Sequence, residues 1–277
     1  MAVSVVIPAL NEARRIRRAV NSAWRAGAAE VIVVDGGSSD LTANTARDCG
    51  AFVLECDPGR ANQQNHGARA AMADVVLFQH ADCWLGPRAI GQIHRVWQRR
   101  PGKLVGAFRQ RIAGVGPKYR LLEAGNLWRA RVWGVPYGDQ GIFFGRTFLR
   151  ELGYFPDVPL MEDLLLMKRV RQQSWPTILE GPLHVDPRRW QKNGALRQTA
   201  TNLLLATASQ LGVSPQKLAN FYPRHEEPDV VPDGLPLEAE EELAEEVAVR
   251  SSEDDRSHTN AVIEFQVSDV ERILGRS

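Results

Sequence analysis

The stretch VVLFQHADCWLGP, residues 75–87, is an apolar run that stops at His80 and Asp82. A histidine and a carboxylate two residues apart gain no packing at the end of a strand. They make either a structural turn or a small polar site, able to hold a cation or a phosphate through an oxygen and a nitrogen. A second pair, Glu162 and Asp163, opens the amphipathic run EDLLLMKRVRQQ. Acids in the first turn of a helix complement its dipole. A carboxylate there can also take a proton from a substrate hydroxyl, if it lies within hydrogen-bond reach.

The elements that must position these residues alternate regularly. VSVVIP, EVIVVDGG, AFVLEC and DVVLFQ are β-branched or apolar runs of strand length. Between and after them lie EARRIRRAVNSAWRAG, SSDLTANTARDCG, ANQQNHGARAAMA and GPRAIGQIHRVWQRR, with helical spacing and Gly or turn residues at their ends. Strands alternating with helices of this length predict an α/β fold, a mostly parallel central sheet with helices on both faces. Ligands in such folds bind beyond the carboxyl ends of the strands. The residues there are Asn11 and Glu12 after the first strand, Asp35, Ser38 and Asp40 after the second, Asp57 and Arg60 after the third, and His80 and Asp82 after the fourth. No GxGxxG follows the first strand and no GxxxxGK[ST] occurs, so neither dinucleotide nor P-loop chemistry is indicated.

Composition narrows the class. The 277 residues carry a net charge of +1, but residues 226–277 hold 16 acids and 4 bases, which leaves 17 acids and 30 bases for residues 1–225. A basic body facing an anionic ligand and bases spread over helix faces are both consistent with this. The segment 226–260 is rich in Pro and Glu and poor in aromatics, and reads as a disordered acidic tail. Residues 261–277 regain some pattern without an assignable role. Three cysteines with no CxxC fit a reducing compartment. The first residues lack a basic n-region, and no apolar run approaches the ~20 residues of a membrane span. The expected location is cytoplasmic, with a peripheral position at the inner membrane face as the variant.

SVVIPALNE, VIVVDGGSSDLT, GRANQQNHGA, FQHAD, GDQGIFF and MEDLLLMKRV occur in this order. Together they resemble the family 2 glycosyltransferases, and HAD, GDQG and RRW resemble the radical-SAM/selenodomain-associated subset. The resemblance covers roughly residues 2–222. It implies a GT-A Rossmann-like nucleotide-diphospho-sugar transferase fold, with residues 1–110 binding the nucleotide-sugar and 111–225 the acceptor. It further implies metal-dependent transfer of a sugar to an unknown hydroxyl acceptor, with inversion because the mechanism is one displacement.

On this resemblance Pro8, Leu10, Asn11 and Glu12 match the first nucleotide-binding loop, and Asp35 with Ser38 matches the base-contacting turn. Arg60 and Asn65 match the segment beside ribose and diphosphate. His80 and Asp82 fall on the DxD position, with Asp82 the ligand of a divalent cation, Mg or Mn. His80 replaces the first Asp and is either a direct ligand or a partner of Asp82 or phosphate. Asp163 matches the general base, with Glu162 in reserve.

Each residue has a plainer reading. Asp35 and Asp82 also suit turns, and Asp40 suits a helix cap. Arg188 and Arg189 suit a diphosphate or a solvated pair with Trp190 packed beneath. Asp139, Gln140 and Trp190 suit an acceptor or sugar, or, for the first two, a tight GDQG loop. His184 is a late metal ligand or a structural residue. GNLWRARVWGVPYGDQG interleaves Trp128, Trp133 and Tyr137 with arginines, which suits acceptor stacking or core packing; no nucleic-acid motif accompanies it. ALRQTATNLLLATASQLGV has core-helix spacing, with a membrane-surface helix as the minority reading. Three rivals remain: a sugar-phosphate nucleotidyltransferase, whose Gly- and Arg-rich opening loop is absent; a nucleotide-binding module without turnover; and a peripheral membrane scaffold.

Overall fold

The computed structural model describes residues 1–99, 102–193, 204 and 213–219. The chain divides into two compact units, Met1–Pro232 and Asp233–Ser277. The acidic tail, the C-terminal segment and nearly all of the leucine-rich run 195–213 lie outside the described residues.

Eight strands form one sheet: β1 Val3–Ala9, β2 Glu30–Asp35, β3 Phe52–Glu55, β4 Val75–Phe78, β5 Cys83–Leu85, β6 Val105–Ile112, β7 Phe143–Gly145 and β8 Thr177–Val185, in the order β3-β2-β1-β4-β7-β6-β8-β5. The first four strands pair in parallel, and β6 runs parallel to β8. β7 is antiparallel to β4 and β6, and β5 is antiparallel to β8. The parallel half is the βαβ alternation read in the sequence. The mixed half, with the three-residue β5 directly after Asp82, was not visible there.

Helices α1 Ala13–Arg25, α2 Thr42–Asp48, α3 Arg60–Ala70 and α4 Ala89–Arg99 follow β1, β2, β3 and β5. Next come α5 Pro117–Trp133, α6 Arg146–Glu151, α7 Glu162–Arg171, α8 Arg188–Asn193 and α9 Pro215–Ala219. Side chains on a strand point alternately to the two faces, so a strand buried on both must be apolar throughout. Val5 and Ile7 of β1 pack with Ile16 and Val20 of α1 and Ile90 and Ile93 of α4. Val6, between them, packs with Ala61 and Ala68 of α3 and Leu164 and Leu166 of α7. A Cβ on Gly67 of α3 would lie 2.3 Å from Val6 Cγ1, so only glycine lets the helix approach β1 this closely. The register aligns Ala9 with Asp35 and Asp35 with Glu55, which sets the ends of β1, β2 and β3 along one edge.

Candidate active site

The loops after β1 and β2 are laced together. Asn11, at φ 53°, donates its backbone N–H to Ser38 Oγ (2.9 Å), and Ser39 N–H donates to Asn11 Oδ1 (2.9 Å). Asp35 is buried. It accepts the backbone N–H groups of Gly37 and Ser38 on Oδ2 and the Ser38 hydroxyl on Oδ1 (2.5 Å). Asp35 and Ser38 therefore build the turn. Asp40 stands one residue before Leu41, the N-cap of α2, so it is not the cap that the sequence indicates; it accepts from Thr42 N–H and, through a short bond, the Thr42 hydroxyl, and from Ala13 N–H at the start of α1, which ties the two helix starts together. Pro8, paired with Val34 across β1 and β2, and Leu10 beside it are half-buried at the same edge.

Next along the edge is a charged cluster. Arg188, opening α8, donates to Glu12 Oε1 (2.5 Å) and stands 3.9 Å from Asp82 Oδ2. Arg15 is 3.3 Å from Glu12 Oε2. Burial pushes the Glu12 carboxyl up to about 7 and the charge of Asp82 adds to the rise; Arg188 and Arg15 only partly oppose it. Asp82 is buried, and its carbonyl accepts from Asp186 N–H (3.0 Å), which ties it to the end of β8.

Residues 138–140 form a single 3-10 turn in which the third cluster centres. Gly138 N–H donates to Asp163 Oδ2 (2.8 Å), while Asp163 Oδ1 accepts from Leu164 N–H (2.7 Å). A Cβ on Gly138 would lie 2.6 Å from His80 Nε2 and 3.6 Å from Asp163 Oδ2. His80, Gly138 and Asp163 therefore meet, although 83 residues of chain separate His80 from Asp163. Asp139 joins them. Its Oδ2 accepts from Gln110 Nε2 (2.9 Å), and Gln110 Oε1 accepts from Asn126 Nδ2 (2.6 Å). Asp139 Oδ1 is buried and receives no hydrogen bond among the described residues. Burial raises the Asp139 pKa; Asp163 and Asp82 add to the rise, against Arg129 and the bond from Gln110.

Several residues expected at the site have other work. Asn65 is buried and bonded at both ends of its amide to Phe155, donating to its carbonyl (2.9 Å) and accepting its N–H (3.0 Å). It anchors a loop and does not face ribose. Gln140 is fully buried; its Oε1 accepts from Arg129 and from Tyr137 N–H and builds the turn, while its Nε2 is buried without a hydrogen bond among the described residues. Trp190 is buried in the core beside α1 and α4. Glu162 is 2% exposed and pairs with Arg60 at 3.3 Å; burial raises its pKa. That makes Glu162 and Arg60 an ion pair at the start of α7, beside Asp163. His184 is stacked on Trp84 (5.3 Å, 8°), with Arg18 3.8 Å from the centre of the Trp84 ring. The side chain of Arg189 lies outside what is described.

Sequence reasoning missed Gln110 and Gln63. Gln63 donates to Ala9 and Val34 carbonyls (2.7 and 2.9 Å) and clamps the ends of β1 and β2. Gln110 lies between Arg109 and Arg111 in VGAFRQRI, on the inward side of the strand alternation, and that alternation was the available signal.

No group of three or more His, Cys, Asp or Glu side chains among the described residues is placed to hold a metal. A hard divalent cation that keeps phosphate and water ligands needs only one or two protein carboxylates. Asp82, with the uncommitted Oδ1 of Asp139 near enough to feel its charge, fits that requirement.

The family model "Glycosyl transferase family 2" matches residues 4–154. No curated protein matches the chain. Among solved structures, S. aureus TarS 1-349 in complex with UDP-GlcNAc is 16% identical, with a TM-score of 0.53 over 67% of this chain and 58% of that one. The chain thus spans somewhat over half of that structure's length. Glucosyl-3-phosphoglycerate synthase from Mycobacterium tuberculosis, with Mn2+, UDP and glucosyl-3-phosphoglycerate, is 21% identical, with a TM-score of 0.52 over 76% and 80% of the two chains. The mannosyltransferase PcManGT from Pyrobaculum calidifontis, with GDP-Man and Mn2+, is 20% identical, with a TM-score of 0.55 over 79% and 68%. These likenesses show a shared GT-A fold. The family match spans more than half of the chain and takes in the laced loops, the HAD turn and the GDQG turn; the chain belongs to glycosyl transferase family 2.

Proposed function

We propose that the protein is a metal-dependent glycosyltransferase that moves a sugar from a nucleotide-diphospho-sugar to an acceptor hydroxyl with inversion. The observation that carries this reading is the meeting of His80, Gly138 and Asp163, with Asp139 next to Gly138 in the turn and Asp82 two residues after His80 in the chain. A base and a cation-binding carboxylate are what a single displacement at an anomeric carbon needs.

The laced loops from Asn11 to Ser38 form the floor for the nucleotide. Arg188 is placed to give charge-assisted hydrogen bonds to the leaving diphosphate. A divalent cation, Mg or Mn, when bound, supplies positive charge to the diphosphate oxygens. Asp163 takes the proton of the acceptor hydroxyl as its oxygen bonds to the anomeric carbon and the bond to the diphosphate breaks. Two backbone N–H groups fix the carboxylate, and each of its oxygens keeps a lone pair for the acceptor. Asp139 Oδ1 is placed to accept from a sugar or acceptor hydroxyl. His80, against Gly138, acts beside Asp82 in orienting phosphate.

The neighbours in complex with Mn2+ and UDP, and with Mn2+ and GDP-Man, support the donor class and the metal. The HAD, GDQG and RRW segments support the radical-SAM-associated subset. Three cysteines without a CxxC spacing suit a cytoplasmic location. The test is release of nucleoside diphosphate from UDP- and GDP-sugars with Mn and a panel of hydroxyl acceptors, with the anomeric configuration read by NMR. The expected result is metal-dependent transfer with inversion. Retention of configuration, or transfer indifferent to Asp163→Asn, overturns the mechanism.

A further inference from the structure

Helix α5 turns the polar side chains of Glu123 and Asn126 inward with Tyr119 and Ala130, and leaves several large apolar side chains outside. The four inward residues are spaced by three or four. Glu123 is buried and accepts from Ile112 N–H (2.6 Å), with Arg120 and Arg111 at 3.0 and 3.5 Å. The polar groups of α5 are thus consumed inside. Its outward stripe is apolar: Leu121 (75% exposed), Trp128 (55%) and Val132 (51%), with Ala124 and Gly125 between them. Water gains nothing from such a surface, and one this continuous marks a contact with something apolar.

The aromatic content says what kind. Trp133 is 45% exposed and meets Trp128 edge-on at 5.1 Å. Trp175, 47% exposed, reaches the end of the same helix, where a Cβ on Gly134 would lie 2.9 Å from its ring. Three of the seven tryptophans of the chain therefore gather at one end of one helix. Tryptophan is the residue of the interface between headgroups and acyl chains, where its ring is half in hydrocarbon and half in water. The rim is basic. The exposed residues of α5 include Lys118 and Arg131 and no acid, and Arg171 lies 5.6 Å from the Trp175 ring. The acid nearest the patch by its contacts, Glu180, is held by Arg131 and Arg109.

We propose that the outer face of α5, with Trp175, is a docking surface for an anionic lipid bilayer. The tryptophans and Leu121 enter the headgroup region and Lys118, Arg131 and Arg171 meet lipid phosphates. This charge match favours a bilayer over a second copy of the chain, whose α5 would present the same bases. The chain runs from the end of α5 through the mostly buried Gly134–Tyr137 into the turn at Gly138 that holds Asp163, so the docking face and the acceptor side of the site are neighbours along the chain. No described helix is long and apolar enough to cross a bilayer, so the contact is with its surface.

The test is co-sedimentation of the full chain with phosphatidylcholine vesicles, with and without phosphatidylglycerol, alongside tryptophan emission. The expected result is binding to the anionic vesicles with a blue shift, weakened by salt, and about tenfold less binding for Trp128→Glu/Val132→Glu. Met72→Glu, at an exposed apolar residue far from α5 in sequence, leaves binding unchanged. The milder Trp128→Gln gives a partial loss should the double variant misfold, which circular dichroism reports. Failure of the wild-type chain to bind either vesicle overturns the proposal, as does undiminished binding of the folded variants. A concentration-dependent dimer in solution that Trp128→Gln dissociates also overturns it. Nucleotide binding, measured separately, is expected to be unchanged in these variants, so failure here is distinct from failure of the transferase reading.

Discussion

Gly138 holds Asp163: the backbone N–H of the glycine donates to Oδ2 of the carboxylate over 2.8 Å, while the space where a Cβ would stand is taken by the His80 ring. One residue without a side chain thus fixes the base and makes room for the histidine beside Asp82. Gly138→Ala must push either His80 or the turn. A misplacement of this size near reacting atoms lowers turnover by roughly 10–100-fold. The cause is checked in a cycle: on a His80→Ala background, Gly138→Ala should add little further loss. An equal loss on both backgrounds would show that the clash is not the cause.

Glu162 and Asp163 are adjacent acids with separate tasks. Asp163→Asn is expected to lower kcat by roughly 10²–10⁴-fold with the melting temperature nearly unchanged, because it removes the proton acceptor and keeps the shape. Glu162→Ala leaves Arg60 without its buried partner and is expected to cost about 1–3 kcal/mol of stability. Kinetics and denaturant melts of the two variants separate the roles. A folded Glu162→Gln with the greater loss of kcat would reverse the assignment.

Asp139→Asn is expected to trade activity against stability. The buried carboxylate is costly to charge, and an amide of the same shape relieves that cost. The variant should unfold at the same or higher denaturant concentration and lose about tenfold or more in kcat/KM. Full activity would mean that Oδ1 meets no substrate hydroxyl.

How far the sequence carried depends on whether a residue acts locally. The parallel strands, whose apolar runs are local, were legible; Asp40 reads as a local cap, yet it also bonds Ala13, 27 residues away. Asn65 was not, because its partner Phe155 is 90 residues away, and a motif position records a residue type and not a contact. Gln140 and Trp190 looked like ligand contacts because they flank charged or glycine-rich residues, yet both are buried. The polar inward side of α5 was invisible for a related reason: Trp and Leu at helical spacing give the same pattern whichever face turns inward.

Asn65 offers a direct check on one of these corrections. Asn65→Ala removes two hydrogen bonds to the Phe155 backbone and is expected to cost about 1–3 kcal/mol of stability. The Kd for nucleoside diphosphate should stay within about twofold. A weakened Kd at unchanged stability would return Asn65 to the donor site.

His184 gives the fold a pH dependence. Burial, with the charges of Arg111, Arg18 and Arg120, lowers its pKa from 6.5 to about 4. Between those values the unfolded chain binds the proton and the folded chain does not, so stability falls as pH drops from 6.5 towards 4 and is fully regained above 6.5. Between pH 7.5 and 5 the loss is on the order of 2 kcal/mol. His184→Phe keeps the stack on Trp84 and should shrink the stability difference between these two pH values by that amount. An unaltered difference in the variant would contradict the burial of a neutral imidazole.

The central claim is that Asp82 serves a cation and a diphosphate while Asp163 serves the acceptor. It is tested most directly by calorimetric titration of UDP and GDP, with and without Mn, into the wild-type chain, Asp82→Ala and Asp163→Asn. The predicted result is binding of at least one nucleotide that requires Mn, is abolished in Asp82→Ala and is retained in Asp163→Asn. Binding indifferent to Mn and to Asp82, or binding lost equally in both variants, would contradict the account.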